Sequence, residues 1–518
     1  MSEIILIYIH HKEESICVVP QGTLYLGTHL QNHGFSIKVF NFMIDKDKKL
    51  DDNDLKELKK ELEDCICVGL SVMTLQVPKS LKLTTLIKSI KPKVNIVWGG
   101  THPTLFPEQT LQNKNIDFVI KGEGEKPLLE LAQALKSKRN KFEKINGLVF
   151  KKMDKIIQNP QQELFDEFEK MIPNWDLISE FTKKSMEIFV NGNLYRLIEV
   201  HTGRGCPYRC TFCINETFFG KSRRFKPINV IIKEIKILIE KFSPTLIKMR
   251  DENFFINKRK VEEFCDALKK ENINIKWTAS CRVNYFDNFD DEFLQKVKDS
   301  GCIALSFGAE SGSQKCLDYL KKDITPAQIY NAASKCVKYD IFPVFSFMTG
   351  LPIEKKEDLL QTLNLIRRIK KISNKVGFTD LQILRPYPGG ELYKECLSFG
   401  LDEPKTLEDW EKADKDYFTP YLNAKYLLWI KDPEAVETIA KYVPKGSNNY
   451  IASLNVNPVW KILFKIRANL FDKLTYKFVE TDSKIKKRIL KSGLQLIDNT
   501  SKIGKFIFTN TVKRFKNV

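Results

Sequence analysis

Residues 204–213 read Arg204-Gly-Cys-Pro-Tyr-Arg-Cys-Thr-Phe-Cys213, which sets Cys206, Cys210 and Cys213 in a Cys-x-x-x-Cys-x-x-Cys spacing within one short loop. The spacing supplies three thiolates, whereas a closed structural metal site wants four protein ligands. Three thiolates can instead hold three irons of a 4Fe–4S cluster and leave the fourth iron open to an exogenous ligand, since thiolate is the ligand type such clusters select. A zinc knuckle would need a fourth ligand. His201 is the only nearby candidate, and it lies five residues before Cys206, outside the usual knuckle spacings. The other nine cysteines (Cys17, Cys65, Cys67, Cys265, Cys281, Cys302, Cys316, Cys336, Cys396) are scattered through apolar or helical contexts and read as buried thiols.

The pattern resembles the radical S-adenosylmethionine (SAM) superfamily, down to Phe212 directly before the last cysteine. The resemblance implies that the open iron chelates the amine and carboxylate of SAM. One electron from the cluster then cleaves the sulfonium to a 5'-deoxyadenosyl radical.

A chain of 518 residues exceeds what one hydrophobic core usually organises, and 42% apolar content is that of an ordinary folded protein, so two or three domains are expected. The N-terminus has no basic n-region, and its apolar run is too short to span a bilayer; no later segment approaches a span. These features point to a cytoplasmic protein in a reducing compartment. The formal charge is +19, and it is uneven. From Pro458 to Val518 there are 15 Lys or Arg against 4 Asp or Glu, which gives +11 in 61 residues.

Strands and helices alternate through about residue 140 as in a doubly wound parallel sheet of Rossmann-like type. Ile4 to Ile9, Ser36 to Phe40, Cys65 to Val72, Asn95 to Trp98 and Asp117 to Ile120 read as five parallel strands. Helices are expected at Gly22 to His33, stopped by Gly34, at Lys79 to Ile90 and at Glu125 to Leu135. Ligands of such sheets bind beyond the carboxyl ends of the strands, where the loops here are small and polar: Ser71-Val-Met-Thr74, Gly99-Gly-Thr-His-Pro103 and Lys121-Gly-Glu-Gly-Glu125. Together with Pro20-Gln-Gly-Thr-Leu-Tyr-Leu26, these segments look like the cobalamin-binding domain of one branch of radical SAM enzymes. That resemblance points to Ser71, Thr74, Gly99, Gly100, His102, Gly122 and Glu123 as cobalamin contacts. His102 could equally cap the next helix. The Asp-x-His-x-x-Gly signature that supplies a lower axial histidine is absent, which suggests cobalt without histidine ligation.

A connector from about residue 141 to 196 contains a hairpin at Gly147 to Asn159. A strand at Leu197 to Thr202 then delivers the cysteine loop, and the superfamily implies a partial (βα)6, TIM-like barrel over residues 197–400. Barrel active sites lie at the carboxyl ends of strands, where the cysteines fall. Leu246 to Met249 ends in Arg250-Asp-Glu-Asn-Phe254, whose carboxylates suit a cationic amine. By resemblance Glu252 is assigned first, and Asp251 second, to the SAM amino group. Trp277 to Ser280 is followed by Arg282, a candidate for the SAM carboxylate. Ile303 to Phe307 leads to Gly308-Ala-Glu-Ser-Gly312, which looks like the family's Gly-x-Glu-Ser-Gly segment and by that resemblance implies Glu310 near the SAM ribose; its other reading is a carboxylate at a helix N-terminus. Phe345 to Met348 leads to Thr349-Gly-Leu-Pro-Ile-Glu354, which resembles the family's Gly-Leu-Pro-Gly-Glu turn with Ile353 where glycine is usual; the resemblance implies that Gly350 approaches the adenine, and its other reading is an ordinary turn glycine. Leu381 to Leu384 precedes Arg385-Pro-Tyr-Pro-Gly-Gly-Glu391.

Beyond Gly400 the resemblance ends in a basic, mostly helical region, 401–518. Residues 457–474 carry Val459, Leu463, Ile466, Leu470 and Leu474 at helical spacing, either as a core-facing helix or as a helix lying on the inner face of an anionic membrane. No stacking platform accompanies the charge, so nucleic acid is not expected.

The whole implies a cobalamin-dependent radical SAM enzyme with a 4Fe–4S cluster, SAM and cobalamin as cofactors, and a methyltransferase acting at an unactivated carbon. A flavodoxin or ferredoxin would serve as reductant, and the substrate is a small molecule, with a hydrophobic one admitted. A radical cyclase or oxidative rearrangement is the alternative chemistry. A noncatalytic cobalamin or membrane sensor is the alternative of another class.

Overall fold

The computed structural model describes residues 2–10, 19–43, 50–138, 141–153, 155–178, 180, 182, 187–190, 193–379, 381–413, 427–442, 470, 473–481, 483 and 485–495. Internal contacts divide the chain into two compact units. One comprises residues 1–188, 195–279 and 386–421; the other comprises 189–194, 280–385 and 422–518.

The first unit opens with β1 (Ile4–His10), α1 (Gln21–Asn32), β2 (Ile37–Met43), α2 (Asp52–Leu62), β3 (Cys67–Ser71), α3 (Val77–Ile90), β4 (Asn95–Gly99), α4 (Thr101–Leu105), α5 (Pro107–Gln112), β5 (Phe118–Ile120) and α6 (Glu125–Lys136). Every residue of β1 is buried, as a central parallel strand covered on both faces requires. It pairs in parallel with β2 (Ile4 opposite Ile37) and with β3 (Ile4 opposite Cys67). Gly34 stops α1 at φ +83, a backbone angle that glycine adopts without strain. The Asp51 carboxylate accepts from the Asp54 N–H and starts α2, which carries Asp52 and Asp54 in its first turn and Lys59 and Lys60 in its last.

The sheet order is β2-β1-β3-β4-β5-β6-β7, so it has seven strands rather than the expected five. The hairpin in the connector, β6 (Leu148–Lys152) and β7 (Lys155–Gln158), adds to β5 as an antiparallel edge, with Phe118 opposite Phe150. Leu148, Val149 and Phe150 are buried while Lys151 and Lys152 are exposed. The inner half of the hairpin therefore gains core contact, and its lysine-rich tip blunts the edge.

After β8 (Glu187–Val190) and β9 (Asn193–Val200), the chain forms the ribbon β10 (Gly203–Arg204), α7 (Asn215–Phe219) and β11 (Arg224–Phe225), then α8 (Ile228–Phe242), β12 (Leu246–Met249), α9 (Lys258–Lys270) and β13 (Lys276–Cys281). In this unit β12 pairs in parallel with both β9 and β13. Ile231, Ile235, Leu238 and Phe242 give α8 one buried apolar stripe, and Ser243 ends the helix in the left-handed region.

The second unit continues the strand-helix alternation with α10 (Asp291–Asp299), β14 (Cys302–Glu310), α11 (Gln314–Tyr319), α12 (Pro326–Lys338), β15 (Phe342–Thr349), α13 (Lys356–Lys370), β16 (Gly377–Phe378) and β17 (Gln382–Ile383). β15 pairs in parallel with β14, β16 and β17. Asp290 caps α10, and Thr325 with Gln328 forms a capping box on α12, with Pro326 at its first turn. The chain then supplies α14 (Glu391–Ser398) and α15 (Trp410–Ala413) to the first unit and α16 (Pro433–Tyr442) to the second.

Leu407, Trp410 and Ala413 belong to the same buried cluster as Ile5, Val68 and Trp98 of the N-terminal sheet. Among the described residues, no helix is long and apolar enough to cross a membrane. The amphipathic segment expected over 457–474 lies almost wholly outside the described residues, as does Cys17.

Candidate functional site

β9 delivers the cysteine loop, and the short ribbon braces its entry. Gly203 stands opposite Phe225 and Arg204 opposite Arg224, and the Lys226 N–H donates to the Thr202 carbonyl at 2.8 Å. Gly205 sits at φ +92, where a Cβ would lie 2.2 Å from the Ser222 carbonyl oxygen, so only glycine fits between Arg204 and Cys206. Cys206, Cys210 and Cys213 are half-buried thiols outside any disulfide, and the Cys213 N–H donates to the Cys210 carbonyl at 3.0 Å. Phe212 is half-buried beside them. The Gly389-Gly390 turn backs the loop: the Leu392 N–H donates to the Thr211 carbonyl at 2.9 Å, and a Cβ on Gly390 would meet that oxygen at 2.5 Å. Among the described residues, no three His, Cys, Asp or Glu side chains surround a single ion position. A cubane makes no such demand, because each thiolate goes to a different iron.

At the end of β12, two adjacent carboxylates are held differently. Asp251 accepts from the Thr202 N–H at 2.7 Å and from its hydroxyl at 2.5 Å, so both oxygens are engaged in tying strand ends together. Burial pushes its carboxyl up to about 7, against the pull of those hydrogen bonds. Glu252 accepts from the Gly205 N–H at 3.2 Å and lines the neighbouring cavity. Burial raises its pKa as well.

The other residues expected at SAM fall in the second unit. Arg282 is buried, its Nε donating to Asn284 Oδ1 at 3.2 Å and its Nη2 to the Lys322 carbonyl. Glu310 is the last residue of β14, at φ +59, and accepts from Lys322 Nζ at 2.9 Å. It lies four residues before α11 begins, so the helix N-terminal reading does not describe it. Gly350 is at φ +80; its N–H donates to Glu354 Oε2 at 2.6 Å, and its carbonyl accepts from Trp429 Nε1 at 2.9 Å. The turn with Ile353 in place of glycine is closed by the Glu354 carboxylate, which also accepts from the Thr349 hydroxyl at 2.9 Å.

A cavity of about 430 Å³ runs along the carboxyl ends of the first unit's N-terminal strands. Ser71, Gly99, Gly100, Gly122 and Glu123, from the strand-end loops singled out in the sequence, line it. Thr74 and His102 are not among its lining residues. Thr74 is buried in the turn after β3. His102 is fully buried between Phe106 and Trp410, with ring centroids at 5.2 and 5.0 Å, and burial pushes its imidazole down to about 3. The same cavity wall contains Thr23, His201, Arg204, Asn215, Phe218 and Glu252, which join the sheet's loops to the cysteine segment. Burial, then the charges of Arg204, Arg250 and Lys226, holds the His201 imidazole neutral, its pKa down to about 3.

Charge joins these two sides of the cavity. Arg204 Nη1 donates to Glu123 Oε1 at 2.6 Å and its Nη2 to Glu125 Oε1 at 2.7 Å. Arg224 donates to both Glu123 oxygens, at 2.8 and 2.9 Å, and to the Phe165 carbonyl at 2.7 Å. The Arg204 guanidinium also lies 4.3 Å from the Phe168 ring centroid and 5.1 Å from that of Tyr25. Burial alone would raise Glu123, but the Arg224 hydrogen bond and the Arg204 charge hold it below its ordinary value.

Comparison with known proteins places this geometry in a family. The family profile of the radical SAM superfamily matches residues 200–366, and that of the B12 binding domain matches residues 16–132. The chain is a cobalamin-binding radical SAM protein. This radical SAM protein is an enzyme whose cofactors are a 4Fe–4S cluster, SAM and cobalamin. It is 29% identical over 384 residues to a Pyrococcus horikoshii protein named as an uncharacterized methyltransferase, across 74% of this chain and 79% of that one. It is 26% identical over 408 residues to the anaerobic magnesium-protoporphyrin IX monomethyl ester cyclase of Rubrivivax gelatinosus, across 78% and 69%. In fold it is similar to the methyltransferase TsrM from Kitasatospora setae, solved with cobalamin and a 4Fe–4S cluster (TM-score 0.63, 16% identity, 89% of this chain and 90% of that one). It is also similar to the cobalamin-dependent radical enzyme OxsB (TM-score 0.70, 16% identity, 96% and 75%). In this radical SAM protein, sequence reasoning missed Thr23, Arg204 and Arg224. Thr23 lay within the quoted Pro20 to Leu26 segment, whereas the arginine pairs cross about 80 to 100 residues and leave no local pattern.

Proposed function

We propose that this enzyme transfers a methyl group to an unactivated carbon of a small-molecule substrate. The observation that carries the reading is the shared cavity, where strand-end glycines of the N-terminal sheet and the segment following the cluster cysteines form one wall. With the cofactors bound, the chemistry supplied there is one-electron cleavage of SAM and delivery of a methyl group from cobalt.

The residues present fit both groups. Three half-buried, reduced thiols on one loop are the donor set of an iron–sulfur cluster. On the cobalamin side, Thr23 Oγ1 is buried in the cavity wall without a partner, an atom that a polar group of a ligand would satisfy. At Gly100, φ +94, a Cβ would lie 2.9 Å from the Val72 nitrogen, so glycine keeps the backbone of this wall close to the strand end beside it.

Cys206, Cys210 and Cys213 would hold the cluster, with Phe212 shielding it. Glu252 would accept the SAM ammonium, while Asp251, engaged by Thr202, holds the strand ends in place. Arg282, Glu310 and Gly350 are assigned to the SAM carboxylate, ribose and adenine. Ser71, Gly99, Gly100 and Gly122 would border cobalamin. Glu123 would act through Arg204 and Arg224.

Domain bounds of 1–140, 141–196, 197–400 and 401–518 go with this reading, and both family matches fall inside them. A flavodoxin or ferredoxin in the cytoplasm would supply the electron. Contact of the basic C-terminal region with a membrane surface is a further part of the proposal. The similarity to a cyclase keeps radical ring formation as a second reading.

An anaerobic reaction of the iron-reconstituted, cobalamin-loaded chain with SAM and dithionite tests the proposal, with 5'-deoxyadenosine and S-adenosylhomocysteine followed together by mass spectrometry. Both products are expected, and Cys213→Ala should abolish the first. Deoxyadenosine alone would favour the cyclase reading, and neither product from a fully loaded protein would overturn radical chemistry.

A further inference from the structure

The three parallel strands β9, β12 and β13 present two unlike faces. Ile198, Ile247 and Trp277 align across one face, as do Val200, Met249 and Ala279 one pleat further along. All six are buried, and the Trp277 ring packs edge-on against Phe264 of α9, 5.6 Å between centroids. Helices therefore cover this face. The intervening positions point the other way, where Glu199, Lys248 and Thr278 align.

A central strand of a parallel sheet is ordinarily apolar on both faces, and cations placed there are expensive unless something neutralises them. Here Lys248 and the next residue on its side, Arg250, share one carboxylate. Glu199 Oε1 lies 3.2 Å from Lys248 Nζ and 3.7 Å from Arg250 Nε. Two cations with one carboxylate at ion-pair distance leave a local surplus of positive charge, which Glu252 feels only at longer range from Arg250. Both cationic side chains remain 34% and 40% exposed, while Glu199 is only 5% exposed and its Oε2 has no partner. The face also adjoins the reaction site: His201, next in the chain after the end of β9, and Glu252, two residues after Arg250, both line the cavity.

We propose that Lys248 and Arg250 form an anion subsite that holds a carboxylate or phosphate group of the substrate, with Glu199 positioning the two cations. This rests on the methyltransferase reading, in which substrate enters beside the cluster loop, and it narrows that reading to a substrate with an anionic group. A partly desolvated pair of cations attracts such a group far more strongly than bulk water would allow. A guanidinium beside an ammonium suits an anion that offers two or more oxygens, as the planar carboxylate and the tetrahedral phosphate both do. A wholly apolar substrate would leave the positive charge that Glu199 does not neutralise facing it without compensation.

The test uses the chain loaded with cluster and cob(II)alamin and titrated, with and without saturating SAM, with two probes. The probes are inorganic phosphate, followed by phosphorus NMR relaxation, and carbon-13-labelled propionate, followed by carbon relaxation. Paramagnetic Co(II) should shorten the relaxation of at least one anion saturably, and which anion responds separates the two sources. Lys248→Met and Arg250→Met should each weaken the binding about tenfold, as expected for loss of a charge-assisted contact. Glu199→Gln should tighten it, a sign that general structural damage would not produce. Iron content and cobalamin absorption verify that each variant is loaded, and if one methionine variant does not load, the other and Glu199→Gln decide.

The subsite is overturned if neither anion shows saturable relaxation in the wild type, or if the variants bind as the wild type does. It is also overturned if SAM displaces the anion, which would make the pair a SAM carboxylate site. Deoxyadenosine and S-adenosylhomocysteine formation by the same preparations judges the enzyme reading separately. Both products without anion binding would sink the subsite alone, and anion binding without either product would sink the enzyme reading and leave the subsite standing.

Discussion

Arg204, in the cavity wall, and Arg250, two residues before the cavity-lining Glu252, live in opposite electrostatic settings. Arg204 and Arg224 meet Glu123 and Glu125, two cations for two carboxylates, with every side chain no more than 10% exposed. Arg250 and Lys248 have one carboxylate between them and stay more than a third exposed. Forked guanidiniums fully matched by carboxylates fix backbone segments against one another, here the β5–α6 turn against the entry to the cysteine loop. Cations short of a partner, and still reachable by solvent, are available to a ligand. The same residue type thus serves architecture in one cluster and recognition in the other, and the count of opposing charges decides which.

The largest expected effect is at the matched cluster. Arg204→Met should destabilise the chain by about 3–5 kcal/mol, because it strands the buried Glu125 carboxylate without its cation and leaves Glu123 to Arg224 alone. Anaerobic denaturant unfolding measures this, and a loss below about 1 kcal/mol would mean that water replaces the guanidinium and the cluster is not architectural.

A buried carboxylate with no cation at all sharpens the contrast. Burial pushes Glu354 up to about 7 from 4.5 despite hydrogen bonds from Gly350 and Thr349. A raised folded-state value favours the protonated acid in the fold, so its contribution is complete below about pH 4.5 and is lost as pH rises through about 7. Thermal unfolding should therefore show the wild type falling behind Glu354→Gln progressively between those pH values. Parallel curves would place Glu354 in contact with water.

The smallest effect is expected at the unmatched pair: Arg250→Gln should change stability by no more than about 0.5 kcal/mol, in keeping with a half-exposed side chain. A drop as large as that of Arg204→Met would erase the distinction between the two clusters.

Much of the fold was legible because its signals are local. β12 occupies Leu246–Met249, the residues its apolar run marks, and α1 stops where Gly34 says it should. The cysteine loop lies at the end of β9, as barrel logic requires. The seven-strand sheet was not legible, because a hairpin reads alike whether it is free or joined to an edge. Nor was α2, whose Asp51 cap and amphipathic pattern sit in a charged stretch that reads as solvated loop. His102 read in the sequence as bordering a ligand or capping the next helix; in the fold its ring packs edge-on against Trp410, a contact between residues 308 apart that only the fold creates. Glu123 was recognised by its loop, but not as the partner of two arginines. The Leu246-Ile-Lys-Met-Arg250 alternation was visible in the sequence, yet it acquires meaning only when the neighbouring strands show which face the helices cover.

Trp410 has one more consequence. The N-terminal sheet completes its interior with Leu407, Trp410 and Ala413, which arrive only after the chain has passed through residues 280–385 of the second unit. Such a domain is not a portable cassette. Recombination that moved residues 1–140 into another protein would carry the strands and the glycine loops but leave the plug behind, opening the hollow around His102 to water. A transplant that kept this interior dry would have to carry residues 407–413 along with the sheet.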